Sequence, residues 1–142
     1  MKWATRAGIH IDRAASAWLI ARFVDPDAEF VYVDDPADAP ADATGFDMVG
    51  CELTHQGADV TFETILRRYE LADPVLWRLA EIVHQADVED DRFDAPEADG
   101  FDLIVRALGR DHDDESVRTI VATLLDSVEV HLRHVMIEGD RR

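Results

Sequence analysis

The chain has 142 residues, 47% of them apolar, and carries 31 acidic against 14 basic side chains, for a formal net charge of −17. Residues 1–142 therefore read as a single domain with enough apolar content for a core, which excludes a disordered acidic tail. The charge argues against partners rich in phosphate, so neither nucleic acid nor an anionic membrane surface is expected.

Lys2 is the single lysine; every other strong cation is an arginine. Self-repulsion on this scale is relieved by salt, and a halophilic source is the expectation. The melting temperature is accordingly expected to be higher in molar KCl than in low salt, and a flat or falling trend would remove that inference. No apolar run approaches the roughly 18 residues that span a bilayer. The opening "MKWATRAGIH" has no signal-peptide core, so a cytoplasmic location is expected. Cys51 is the single cysteine, which leaves histidines and carboxylates as the candidate metal ligands.

In chain order, "KWATR" predicts a first strand. Asp12 is expected to N-cap a helix running to about Phe23, with Ala15, Trp18, Leu19 and Phe23 facing the core. Pro26 disfavours helical geometry at Asp25. "EFVYV" predicts a second strand, completing a strand–helix–strand unit with a right-handed parallel crossover. The stretch 34–45 reads as a solvated loop. "FDMVG" and "CELTH" are short strand candidates before a turn at Gly57.

Four helices are predicted after that. "TFETILRRYEL" has Thr61 or Asp59 near its cap. "DPVLWRLAEIVHQADVED" is capped by Asp73, with Pro74 in its first turn. "DGFDLIVRALG" is expected to end at Gly109. "DDESVRTIVATLLDSVEVHLRHVM" has acids in its first turn and an apolar stripe of Val117, Ile120, Val121, Leu124, Leu125 and Val128. The expected fold is α/β, with α+β as the neighbouring class: an N-terminal strand–helix–strand unit with a small mixed sheet, followed by a C-terminal helical layer.

Three histidines lie near carboxylates at element ends or on a helix face: His10 with Asp12, His55 with Glu63, and His84 with Asp87. His10 and Asp12, one residue apart, share a side on extended chain. His84 and Asp87, three apart, share a helix face. Each pair also has a plain structural explanation, as cap, dipole partner or self-satisfied ion pair. Together, His10, His55 and His84 with Asp12, Glu63 and Asp87 form a candidate site for a divalent transition metal, whether Fe, Mn, Zn or Ni. Arg13 lies in the first helical turn, where a cation opposes the dipole. It either holds an oxyanion beside the metal or pairs with a carboxylate such as Glu63. His112, His131 and His134 read as solvent-facing.

"HIDRAASAWLIARFVDPDAEFVYV", "FDMVGCELTHQGADVTFETILRRYEL" and "DPVLWRLAEIVHQADVEDDRF" resemble the chromate-resistance protein family, the C-terminal domain type found in ChrB. The likeness runs in order and spacing from Trp3 to about Phe93. It implies a domain associated with chromate resistance, attached in some members to a region that senses chromate. The leading expectation is a metal-binding domain that binds or processes an oxyanion, its partner a small anion or small-molecule substrate. The alternatives are a metal-dependent, phosphoesterase-like hydrolase and a non-enzymatic sensor or interaction domain. Catalysis and homodimer formation stay open.

Overall fold

The structure, a computed structural model, describes residues 1–139. Strand β1 (Lys2–Arg6) lies between β2 (Glu29–Val33) and β3 (Ala43–Gly45), and both neighbours run parallel to it. Ala4 faces Val31 on one side and Gly45 on the other. With both edges paired, β1 carries the buried middle of the sheet at Trp3, Ala4 and Thr5. Two parallel partners on a first strand require crossovers, and the first crossover is the helix that the site is built on.

That helix, α1 (Ile11–Leu19), is buried at every residue. Ala14, Ala15, Ser16 and Ala17 have small side chains that let neighbouring elements approach from all sides, and a helix covered all round belongs at the centre. It packs against α2 (Thr61–Arg68), α3 (Pro74–Asp87), α4 (Ala98–Asp111) and α5 (Asp114–Arg133). The main core runs through them from Trp3, Trp18 and Phe46 to Leu76, Val105 and Leu125. The fold is thus α/β, with a strand–helix–strand start and a helical remainder. Among the described residues no helix is long and apolar enough to cross a membrane.

Several boundaries differ from the sequence expectation, each for a physical reason. His10, not Asp12, is the N-cap of α1, in extended geometry, and its carbonyl accepts from the Ala14 amide at 2.9 Å. Asp12 falls inside the first turn and caps a different helix. After Leu19 the chain widens into a π-helical turn, Ile20–Val24, before Asp25 turns extended ahead of Pro26. "FDMVG" and "CELTH" form only an isolated bridge, Phe46 to Leu53, while the third strand lies at Ala43–Gly45, in the stretch read as a loop. An open edge of β1 decides strand formation there, and local composition does not show it. The sheet is therefore parallel throughout its three strands, not mixed. Helix α4 runs past Gly109 to Asp111, since a glycine inside a helix costs only about 1 kcal/mol and does not by itself stop it. The cap of α3 is as expected: Asp73 accepts from the Val75 amide at 3.0 Å, and Pro74 opens the helix.

Candidate metal centre

The centre forms where the start of α1, the loop before α2 and the end of α3 meet. Asp12 is completely buried, and its carboxylate points across to the N-terminus of α2. One oxygen accepts from the Phe62 amide at 3.0 Å and the other from the Thr61 amide at 3.0 Å, so two otherwise orphaned helix donors are satisfied from some fifty residues away. The same Oδ2 lies 3.0 Å from His55 Nε2. On its other side His55 Nε2 stands 3.2 Å from Asp87 Oδ2, on the last residue of α3. Asp12, His55 and Asp87 each place one ligand atom within 4.8 Å of the other two. Two bonds of about 2.1 Å at a tetrahedral angle put ligand atoms about 3.4 Å apart, so the 3.0 and 3.2 Å separations suit one small ion.

Two further side chains border this set. His10 places Nε2 3.2 Å from Asp47 Oδ2 and Nδ1 3.5 Å from Asp87 Oδ1. Asp47 is buried in the left-handed region at φ 51°, which aspartate tolerates better than most side chains. It accepts from Thr61 Oγ1 at 2.6 Å and from Arg13 Nε at 2.9 Å. Arg13 also donates to the carbonyls of Gly8 at 2.9 Å and Asp47 at 3.1 Å, so its fork is taken up inside the protein. It pairs with a carboxylate as one reading foresaw, but with Asp47 and not Glu63.

Electrostatics follow from this crowding. Burial raises the Asp87 carboxyl above its usual range, and the charge of Asp12 adds to the rise; His10 and His55 offset it in part. The hydrogen bond to Asp12 lifts His55 to about 9 against its partial burial, helped by the charges of Asp12, Asp87 and Asp47. Burial pushes Asp47 upward too, but hydrogen bonds from His10 and Thr61 and the charges of His10 and Arg13 outweigh it and leave Asp47 lowered. Three carboxylates facing two imidazoles form a site whose mutual repulsion a cation relieves.

His84 and Glu63 lie apart from this group. His84 is fully buried and bonds to carboxylates at both ring nitrogens, Glu63 at 2.5 Å and Asp90 at 2.8 Å. Burial alone would lower its pKa, but the two carboxylates outweigh burial and raise it. With a carboxylate oxygen at each ring nitrogen, both nitrogens are already engaged inside the protein. Glu63 in turn accepts from the Val60 amide at 3.0 Å, closing the start of α2. The expected His84–Asp87 pair therefore does not form: the chain turns extended at Val88 and brings Asp90 back onto the ring, while Asp87 faces His10 and His55. His112, His131 and His134 are exposed.

A family model described as "ChrB, C-terminal domain" matches residues 3–132, and the chain belongs to that family. It is 39% identical over 132 residues to Protein ChrB of Cupriavidus metallidurans, across 92% of this chain and 40% of that protein. The chain thus spans about two-fifths of that relative's length. No solved structure matches it.

Proposed function

We propose that this domain binds a divalent transition metal through Asp12, His55 and Asp87, and that the ion receives a small oxyanion, chromate being the one its family relation points to. The observation that carries the reading is the convergence of these three side chains from three separate elements. Imidazole with carboxylate suits Fe, Mn, Zn or Ni. His55 is 45% exposed, which leaves the outer side of the ion open to water or an exchangeable anion. In this reading Arg13, which donates to Asp47 and to two backbone carbonyls, supports the centre through Asp47. Chromate is a tetrahedral dianion, and in a protein of net charge −17 a metal supplies the local positive charge such a ligand needs.

Elemental analysis of protein purified without a polyhistidine tag is expected to find metal, and His55→Ala is expected to remove it. Protons compete for the site. His55, lifted to about 9, is protonated at neutral pH in the metal-free protein, so binding an ion there displaces a proton. Apparent affinity is therefore expected to rise about tenfold per pH unit from pH 7 and to level off above the free-state pKa of His55. Calorimetry in buffers of different ionisation enthalpy reads the released proton. Wild-type protein that takes up no metal, or takes it up with no proton released, contradicts the proposal.

A further inference from the structure

His10 Nδ1 is buried without a hydrogen bond, although it belongs to a ring with a 39% exposed side chain. Among the described residues, the carboxylate paired with it is Asp87, whose Oδ1 lies at 3.5 Å, which is ligand-to-ligand spacing rather than a hydrogen bond. Asp87 thus shows one oxygen to each imidazole: Oδ2 to His55 and Oδ1 to His10. At the other end of the ring, Nε2 faces Asp47 Oδ2 at 3.2 Å. A carboxylate at that distance orients the ring and leaves Nδ1 as the nitrogen turned to Asp87, the arrangement in which metal-binding histidines are held from behind.

The supports of this ring are independent of any ion. Asp47 is locked by Thr61 and Arg13. The backbone entering His10 is pinned by Asp114, whose carboxylate accepts from the Gly8 amide at 3.1 Å and the Ile9 amide at 3.0 Å. That turn needs Gly8 at φ 87°, a conformation other residues rarely adopt. The ring is thus aimed by groups of its own, with its inner nitrogen turned to Asp87; Nδ1 lies outside the Asp12–His55–Asp87 set whose ligand atoms fall within 4.8 Å of one another, so joining that set takes a turn of the His10 or Asp87 side chain.

We propose that His10 is a further ligand of the centre through Nδ1, and that Asp47 is the positioning residue that orients its ring. This rests on the metal-binding reading above. The test is titration with Co(II), followed by its visible absorption, on wild type and on His55→Ala, His10→Gln and His10→Asn. Glutamine keeps a donor where Nε2 sits, toward Asp47; asparagine keeps an acceptor near the place of Nδ1. The expected result is a 10–100-fold weaker affinity and an altered spectrum for His10→Gln. His10→Asn should retain more affinity than His10→Gln. Asp47→Asn should weaken binding in the wild-type background and have little further effect in the His10→Gln background, because its action passes through the ring.

If wild type binds Co(II) and His55→Ala does not, yet His10→Gln behaves as wild type, His10 is no ligand and the three-residue centre stands. Equal affinities for the glutamine and asparagine variants overturn the assignment to Nδ1. Equal losses from Asp47→Asn in both backgrounds overturn its positioning role. Wild type that binds no Co(II) removes the centre itself.

Discussion

Trp18→Ala is expected to lower the free energy of unfolding by about 3–5 kcal/mol, read from urea denaturation. The ring is 1% exposed, on the helix that every other helix packs against. It meets Phe23 edge-on at 5.7 Å between centroids, and its Nε1–H donates to Asp126 on α5 at 2.8 Å. Alanine removes the ring, leaves a cavity at the α1–α5 junction and strips one partner from Asp126. Asp126 is half exposed and keeps Arg22, so the larger share of the cost comes from lost packing. Trp18→Phe should recover part of it, since a phenyl ring refills some of the space while the rest of the indole volume and the hydrogen bond stay lost. Trp18 has none of Asp12, His55 or Asp87 among these partners, so the folded fraction of Trp18→Ala should bind metal as wild type does. Unchanged stability with lost metal would make Trp18 a site residue instead of packing.

The parts of this molecule legible in its sequence are those set by neighbours in the chain. The Asp73–Pro74 start of α3 is a local event, because a carboxylate reaches an amide two residues away. The stripe of Val117, Val121 and Leu125 is also local in origin and is buried in the structure. The strands on either side of α1 were legible from composition. What escaped is long-range. Asp12 reads as the cap of its own helix, and nothing nearby indicates that its carboxylate serves α2. Asp47 carries no signal, because "FDMVG" reads as a strand; the left-handed turn that aims it at His10 depends on Arg13 and Thr61. The partner of His84 turns on where α3 stops. Continued helix would put Asp87 on its face, but the break at Val88 supplies Asp90.

Asp12→Ala is expected to cost about 3–5 kcal/mol with chelator present, and so independently of any ion. The carboxylate is completely buried and accepts from two backbone amides of α2 and from His55, with Ser16 Oγ farther away at 3.4 Å. Alanine leaves the Thr61 and Phe62 amides without an acceptor in a dry place, each at about 1–3 kcal/mol, and removes the negative charge from the positive end of the helix. Asp12→Asn should fall in between, since its amide oxygen replaces one acceptor while its NH2 turns a donor toward other donors. His55→Ala is the control. That ring is 45% exposed, so its loss should change stability in chelator by no more than about 1 kcal/mol while abolishing metal uptake. The two variants therefore separate the two duties of the cluster: His55→Ala loses the ion and keeps the fold, whereas Asp12→Ala loses both. If Asp12→Ala is as stable as wild type in chelator, the amides of α2 find other partners, and the buried carboxylate serves the ion alone.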